Sequence, residues 1–173
     1  RIFKLPIDSI KAALQYLTLP TIVKEVGQGI GPESLKSLMH LPLEAIEFAA
    51  LGGTNFSVLE LKRAGNYLPT SSTHHLSPFG KIGHTAHDMV EMVNTIGKSL
   101  GNKLKCNRFI ISGGIENFLD GYYLVKRLQY PSVYGQASAF LTPARKSYQD
   151  LYQYVKSQVD GLELAYNYLT IRG

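Results

Sequence analysis

Four short apolar runs, separated by segments of helical periodicity, constrain the fold of this chain most strongly. The runs are TIVKEV at 21–26, LEAIEFAA at 43–50, RFIIS at 108–112 and SVYGQ at 132–136. A strand that follows a helical crossover pairs in parallel with the strand before it. The sequence therefore predicts an α/β fold with four parallel strands, which is half of a (β/α)8 TIM barrel.

Glycines recur at the ends of the predicted strands, where ligands bind in parallel sheets. They are Gly27, Gly52, Gly53, Gly113, Gly114 and, within the last run, Gly135. The carboxyl ends of parallel strands lie at one edge of the sheet, and the loops at that edge carry the ligand sites of barrels and of open α/β sheets. We therefore expect the functional site at this edge.

The helical segments follow from the spacing of their apolar residues. A first helix is predicted over residues 8–17, with Asp8 as its N-cap and Pro20 as its stop. Further helices are predicted over 32–40, 84–100 and 117–130. A loop of residues 65–83 precedes one of these helices, and structureless loops of this length are often lids or disordered segments.

A long C-terminal helix is predicted from about Lys146, with Gly161 as a point where it bends or breaks. Its apolar face carries Tyr148, Leu151, Tyr152, Val155, Val159, Leu162, Tyr166 and Leu169. A continuous apolar face predicts that most of this tyrosine-rich helix packs into the core. Tyr154 and Tyr168 fall off that face, and because tyrosine is favoured at interfaces, they predict a subunit contact.

The composition excludes several classes of protein. Hydrophobic residues make up 45% of the 173 residues and charged residues 18%, which indicates one globular domain over residues 1–173 without long disorder. The net charge of +5 is spread along the chain without a nucleic-acid-binding motif. We therefore expect a small phosphorylated ligand and no nucleic acid. No apolar run reaches the ~18 residues of a membrane span, so no membrane partner is expected.

Cys106 is the single cysteine, so it cannot form an internal disulfide, which fits a reducing cytosol. No catalytic pattern surrounds it in LKCNRF, and a buried, idle thiol is predicted. The N-terminus lacks the basic, apolar and small-residue order of a signal peptide, and a cytoplasmic location is expected. It also lacks an initiator Met, from which we expect that the chain has been trimmed.

The strongest chemical motif is ISGGIEN at 111–117. Glycines after a strand let backbone N–H groups approach a phosphate, and the next helix offers its positive end. The alternative is a tight strand-to-helix turn in which Gly113 and Gly114 adopt positive φ. The last strand also ends in small residues, Ala137 and Ser138, and barrels bind phosphate after two such neighbouring strands. A phosphate site is therefore the favoured interpretation.

Two polar residues at strand ends extend this candidate site. Lys24 lies inside a predicted strand, where a lysine must be paired or face a ligand unless it snorkels to the strand end. Thr54, in GGTNF, could donate its hydroxyl to a phosphate. It could equally cap the short helix FSVLELKR at 56–63, and the two roles are compatible.

The histidines give a weaker signal, for a metal. His84 and His87 are three residues apart, a spacing that places them on one helix face, and His74 and His75 lie in the preceding loop. Asp88 points to another face, and no carboxylate or thiolate completes a ligand set. We therefore expect solvated histidines at a helix start rather than metal ligands.

Taken together, PTIVKEVGQGI, AIEFAALGGTNF, FIISGGIENFLD, VYGQASAFL and LELAYNYLTIRG resemble the C-terminal half of the type 2 isopentenyl diphosphate isomerases. The resemblance covers nearly all of the chain, and IVKEVG with GGTNF is its most specific part. SGGI is shared with other FMN-dependent barrels, which fit less well. The α-hydroxy-acid oxidases carry a histidine and then an arginine where this chain has ALGGTNF. The inosine monophosphate dehydrogenases need a catalytic cysteine after a strand, whereas Cys106 precedes one.

The resemblance implies the last four strands and helices of an FMN-binding (β/α)8 barrel that converts isopentenyl diphosphate to dimethylallyl diphosphate in isoprenoid biosynthesis. The family requires Mg²⁺ and flavin reduced by NADPH, and it usually forms tetramers or larger assemblies, so a homo-oligomer is expected. By position, Lys24 would contact the flavin, where it could stabilise negative charge, and Thr54 would bind FMN. The residues implied around the FMN phosphate are Gly113, Gly114, Glu116, Ala137 and Ser138.

Glu116 departs from the family, which usually has a basic residue at this position. A carboxylate ~5 Å from a phosphate charge costs roughly 3 kcal/mol per charge pair at an effective dielectric near 20. We therefore expect that backbone N–H groups alone hold the phosphate, or that binding is weak.

The family's Gln-Glu pair, which holds the diphosphate and Mg²⁺, lies on a fourth strand that this chain does not contain. Half a barrel leaves sheet edges and faces uncovered. We therefore expect an N-terminal half in the native protein or, alternatively, the pairing of two half-barrels. Two other functions stay open: a non-catalytic phosphate-binding barrel remnant and a different FMN-dependent oxidoreductase.

Overall fold

The computed structural model describes residues 4–63 and 76–172, whose strands form one parallel sheet. The strands are β1 (Ile22–Lys24), β2 (Ala45–Glu47), β3 (Phe109–Ser112) and β4 (Ser132–Gly135), in the order β1-β2-β3-β4. The prediction of four parallel strands is confirmed. The described sheet is open, with β1 and β4 at its edges, which is consistent with part of a barrel.

Helices connect all of these strands. The α-helices of the described residues are α1 (Pro6–Leu14), α2 (Pro32–Met39), α3 (Phe56–Arg63), α4 (Ala86–Leu100), α5 (Phe118–Arg127), α6 (Ser138–Ala144) and α7 (Tyr148–Tyr168). Short 3-10 helices lie at Ser77–Lys81 and Gly101–Lys103. In the part of the chain described here, no helix combines the length and the apolar character needed to cross a membrane.

The start and stop predicted for α1 are wrong. The helix begins at Pro6, with Leu5 in the N-cap position, because proline is well suited to the first helical turn. Asp8 lies in the first turn instead of capping it, and the helix ends at Leu14, well before Pro20. Helix α6 was not predicted at all, because its seven residues include an internal proline, Pro143.

The loop predicted over 65–83 is only partly described. Residues 77–81 form a 3-10 helix, so this part of the loop is ordered rather than structureless. The Gln28 side chain donates a hydrogen bond of 3.0 Å to the carbonyl of Phe79, which ties this segment to the loop after β1. His74 and His75 lie outside the described residues.

The core lies on the face of the sheet that packs against the helices. Ile46, Phe48, Phe109 and Ile111 point to that face and are at most 1% exposed. Burial of each such side chain contributes about 1.5–3 kcal/mol. Because side chains alternate along a strand, their sequence neighbours point to the opposite face. There Val133 is 61% exposed, so the opposite face of β4 is open in the described part of the chain.

The prediction that the main apolar face of α7 lies in the core is wrong. Tyr148 is 78% exposed, and Tyr152, Val155 and Val159 are also exposed. The residues of α7 that are buried are Gln158, Gly161 and Ala165. The helix runs through Gly161 without a break, and a Cβ added there would lie 2.5 Å from the Phe118 ring.

Candidate functional site

The loops after β2 and β3 pack against each other so closely that glycine is required. Gly113 has φ of +92°, and a Cβ there would lie 2.1 Å from the carbonyl oxygen of Ala50. Gly52 has φ of +109°, and its Cβ would lie 2.6 Å from the Cα of Gly114. The tight-turn interpretation of the glycine pair is therefore confirmed, and it explains these glycines without a ligand.

The side chains of α5 occupy the N–H groups at its own start. The Asn117 Oδ1 accepts from the N–H groups of Leu119 and Asp120, at 2.8 and 3.2 Å. The Asp120 Oδ2 accepts from the N–H groups of Glu116 and Asn117, at 3.0 and 3.2 Å. This capping box satisfies donors that a phosphate would otherwise use. It also places a carboxylate at the positive end of the helix.

A pocket of about 290 Å³ lies in front of this helix start. Gly113, Gly114, Glu116, Asp120 and His87 are among the residues that line it. The lining contains two carboxylates and neither lysine nor arginine. The structure therefore brings Gly113, Gly114 and Glu116 together, but in surroundings that repel a phosphate.

The end of β4 differs from the end of β3. Ala137 is the N-cap of α6 and makes no side-chain capping bond, and Ser138 is the exposed first residue of that helix. Just before them, the Nε2 of Gln136 is buried without a hydrogen-bond partner. Buried donors normally have a partner, and leaving one unsatisfied costs about 1–3 kcal/mol. The residues after β4 therefore fit an acceptor such as a phosphate oxygen.

Lys24 takes part in a polar network on the open face of the sheet. It forms an ion pair with Glu47, its neighbour in register on β2. The hydroxyl of Ser112 donates to the Oε1 of Glu47 at 2.9 Å and accepts from the N–H of Ala49 at 3.1 Å. The network thus links the carboxyl ends of β1, β2 and β3. Lys24 is exposed, so its ammonium stays accessible to solvent while it pairs with Glu47.

The sequence analysis missed Glu47, Ser112 and Ala49. Side chains alternate between the two faces of a strand, so residues of neighbouring strands that pair in register lie on the same face. Strand alternation could therefore have placed Glu47 on the face of Lys24. Ala49 has φ of +42°, a region that costs an L-residue roughly 1–2 kcal/mol. No local pattern indicates this conformation. It lets the Ala49 carbonyl accept from the N–H of Gly29 at 3.1 Å.

The glycine-rich loop after β1 also contains a carboxylate of the chain itself. The Glu25 Oε2 accepts from the N–H groups of Gly27, Gln28 and Gly29 at 2.6, 2.6 and 3.0 Å. Three converging N–H groups form an anion site, and here Glu25 fills it. This loop therefore offers no open cradle to a ligand.

Thr54 lies exposed after β2, and its backbone carbonyl packs on the neighbouring loop. A Cβ on Gly27 would lie 1.8 Å from the Thr54 carbonyl oxygen, so the two loops are in close contact. The predicted capping role of Thr54 is wrong. The Oδ1 of Asn55 accepts from the N–H of Val58 at 3.1 Å and caps α3 instead.

His84 and His87 do not share one helix face. Helix α4 begins at Ala86 with Thr85 as its N-cap, so His84 precedes the helix. Asp88 accepts hydrogen bonds from the Thr85 hydroxyl and N–H, which hold the pKa of Asp88 below its usual range. The His87 ring contacts the Tyr123 ring at a tilt of 38°, with 5.5 Å between ring centroids. Over residues 4–63 and 76–172, no group of three or more potential side-chain ligands is arranged to hold a metal ion.

Cys106 is buried, which confirms the prediction of a packed thiol. Burial raises its pKa above the ordinary value, so it carries little thiolate at neutral pH. The thiol donates to the carbonyl of Arg108 at 3.8 Å. These contacts indicate a structural role.

The chain is similar to curated proteins named isopentenyl-diphosphate delta-isomerase. It is 28% identical over 158 residues to that protein of Rickettsia peacockii (strain Rustic), which covers 91% of this chain and 43% of the relative. Over 138 residues it is 30% identical to that of Rickettsia prowazekii (strain Madrid E), covering 80% and 37%. Over 115 residues it is 33% identical to that of Rickettsia canadensis (strain McKiel), covering 66% and 31%.

The chain spans less than half the length of these relatives. No family model matches it. The relatives' names support isomerisation of isopentenyl diphosphate as the chemistry of the group to which this chain is similar.

Proposed function

We propose that this chain is the C-terminal half of an FMN-dependent, type 2 isopentenyl-diphosphate isomerase, which produces dimethylallyl diphosphate for isoprenoid biosynthesis. The observation that carries the proposal is the similarity over 91% of the chain to a relative of that name. The parallel sheet supports it, because the residues implied by the resemblance lie at the carboxyl ends of neighbouring strands.

The FMN phosphate would lie between the ends of β3 and β4. On the β4 side, the Gln136 amide and the Ser138 hydroxyl would donate to it, and the exposed Ala137 leaves room for it. On the β3 side, Gly113 and Gly114 would border the phosphate without supplying the amides of α5, which Asn117 and Asp120 occupy. The residues after β4 fit the group, whereas those at the start of α5 do not fit it as arranged.

Lys24 and Thr54 would approach the rest of the cofactor. Lys24 stands on the open face at the end of β1, where its ammonium could neutralise negative charge on a flavin ring. Glu47 and Ser112 would position that ammonium through their contacts across the sheet. Thr54 would meet FMN at the end of β2 with its exposed hydroxyl. When bound and reduced, the flavin would supply acid/base chemistry without net redox change.

The remaining parts of the proposal lie outside this chain. NADPH would reduce the flavin, and an N-terminal half would supply the groups that hold Mg²⁺ and the substrate diphosphate. That half would also cover the open face of the sheet, where Val133 is exposed. We further propose that the whole protein is cytoplasmic and forms a homo-oligomer.

A non-catalytic barrel remnant is the second candidate, and Glu116 with Asp120 favours it. These two carboxylates line the pocket beside Gly113 and Gly114, where a phosphate site needs donors. A chain under no selection to bind FMN could retain the fold and acquire such a pair.

Titration of the chain with FMN separates the two candidates. The chain has no tryptophan, so flavin fluorescence can be followed with little protein emission. We expect micromolar binding, tightened by Glu116→Arg. Glu33→Arg is the matched control, because it makes the same change of charge in the first turn of another helix, α2. Binding by Glu116→Arg alone would favour the remnant, and binding by neither protein would contradict an FMN site within this half.

Activity is tested in the longer protein. With reduced FMN and Mg²⁺, we expect conversion of isopentenyl diphosphate to dimethylallyl diphosphate. FMN binding without conversion would support the proposed cofactor site and contradict the proposed isomerase activity.

A further inference from the structure

Three polar side chains form a row on the open face of the sheet, at the carboxyl ends of three strands. Lys24 is the last residue of β1, Glu47 of β2 and Ser112 of β3. Lys24 pairs in register with Glu47, and the Ser112 hydroxyl donates to the Glu47 Oε1 at 2.9 Å. We call these three residues the polar row. Glu47 is its centre, because both other members contact it.

The Glu47 carboxylate is better covered than the ammonium with which it pairs. Its side chain is 20% exposed, whereas the Lys24 side chain is 55% exposed. A carboxylate that loses part of its hydration needs compensation, and Lys24 and the Ser112 hydroxyl provide it. An ion pair with so exposed a partner contributes little to stability, however. The stability of the fold therefore does not account for the pair.

The backbone beside the polar row is strained, and the strain holds the row in place. Ala49 has φ of +42°, in the left-handed region that residues other than glycine rarely adopt. Its N–H donates to the Ser112 Oγ at 3.1 Å, and its carbonyl accepts from the N–H of Gly29 at 3.1 Å. Strained residues cluster at ligand sites, where the surrounding structure over-determines them. The conformation of Ala49 therefore supports a ligand-binding role for the polar row.

The two charges of the polar row cancel. Lys24 alone would attract an anionic group, but the Glu47 carboxylate beside it repels the same group. Both charges lie at one edge of the sheet, so a ligand that reaches the ammonium also meets the field of Glu47. A flavin ring is sensitive to such a balance, because two electrons and one proton convert the neutral ring into an anion.

We propose that Glu47 is a specificity-determining residue of the FMN site, whose carboxylate offsets the charge of Lys24 and limits the preference of the site for reduced over oxidised FMN. This inference rests on the proposed FMN-binding function. Ser112 is a positioning residue, because its hydroxyl orients the carboxylate that pairs with Lys24. Without the charge of Glu47, the Lys24 ammonium would favour the anionic, reduced cofactor.

Equilibrium dialysis tests this balance with oxidised FMN and, in the absence of oxygen, with FMN reduced by excess dithionite. Glu47→Gln removes the charge and keeps an acceptor for Ser112. We expect this variant to tighten the binding of reduced relative to oxidised FMN about tenfold, a modest effect because the polar row is partly exposed. A tenfold shift in this ratio corresponds to a rise of about 30 mV in the two-electron midpoint potential.

Three further variants separate the charge balance from other effects. Lys24→Met should shift the ratio in the opposite direction, and Lys24→Met/Glu47→Gln should return it close to the parent value, because no net charge remains. Glu44→Gln is the matched control. It makes the same change just before β2, where Glu44 pairs with Arg108, and it should leave the ratio unchanged.

The outcomes distinguish this inference from the proposed function. An unchanged ratio in Glu47→Gln, when the parent chain binds FMN, would overturn the inference and leave the proposed cofactor site intact. Equal shifts in Glu47→Gln and Glu44→Gln would show that net charge alone is responsible, and would also overturn it. If Glu47→Gln did not fold, an unchanged ratio in Lys24→Met would contradict the balance. Failure of the parent chain to bind either form of FMN would contradict the proposed function and the inference with it.

Discussion

The loops after β3 and β4 look alike in the sequence and differ in the structure. Both follow a strand, contain small residues and lead into a helix. After β3, the side chains of Asn117 and Asp120 accept from four N–H groups around the start of α5, those of residues 116, 117, 119 and 120. After β4, α6 has no side-chain cap, and the Gln136 amide has no partner. A helix start is an anion site only where the chain has not capped it.

In the loop after β1, a carboxylate of the chain likewise occupies a potential anion site. Glu25 occupies the N–H groups of Gly27, Gln28 and Gly29, which would otherwise form an anion nest. Glycine and other small residues thus indicate where the backbone makes a close contact. Side chains several residues away decide whether that contact is with a ligand or with a carboxylate of the same chain.

The largest effect should come from adding a methyl group at Gly113, in the loop after β3, compared with Gly135, the last residue of β4. Gly113→Ala should lower the free energy of unfolding by about 3 kcal/mol or more, from positive φ and overpacking together. Gly135→Ala should change it by less than about 1 kcal/mol, because its Cβ would lie 3.8 Å from the Ser112 Cβ, an ordinary contact. Denaturant unfolding measures both, and equal losses would contradict the contrast.

Gln136 offers the next largest effect, on ligand binding. Gln136→Leu should weaken FMN binding roughly tenfold to a hundredfold, because a hydrogen bond to a charged group contributes about 1.5–3 kcal/mol. Stability should hold or rise, since the variant removes a buried donor without a partner. Gln153→Leu, the same change at an exposed position of α7, is the control for the titration. Unchanged affinity would remove Gln136 from the site.

Removing the negative charge of Asp120 should make the loop after β3 more favourable to the FMN phosphate, as the loop after β4 is proposed to be. Asp120→Asn keeps an acceptor for the cap but removes a negative charge from the helix start, which should tighten FMN binding roughly two- to fivefold. Asp88→Asn is the control, because α4 has a capping box of the same design. If both variants tightened binding equally, net charge and not the start of α5 would be responsible.

The smallest effect concerns the pH dependence of the α4 cap. The pKa of Asp88 is lowered by the Thr85 hydroxyl and N–H, so the folded state favours the carboxylate. Its contribution to stability is therefore complete above the ordinary pKa of about 3.9 and is lost as the pH falls below it. Because Asp88 is exposed, we expect well under 1 kcal/mol. Unfolding of the parent chain and of Asp88→Asn should show different pH dependence only below about pH 4.

The sequence by itself determined the four strands, their order and the helices between them. Four short apolar runs between helical segments are local patterns, and right-handed crossovers leave parallel pairing as the outcome. The caps Thr85 and Asn117 and the burial of Cys106 also follow from residues nearby in the chain.

Only the tertiary structure decided which surfaces those elements use. Both sides of α7 can be apolar, and the smaller residues Gly161 and Ala165 face inward because the Phe118 ring and helix α5 leave no room for tyrosine. Lys24 forms its ion pair with Glu47 because the register of β1 and β2 places the two residues side by side. Asp120 rather than a ligand fills the start of α5, because a side chain one turn away is always at high local concentration. Such choices depend on distances between segments far apart in the chain, which local periodicity does not encode.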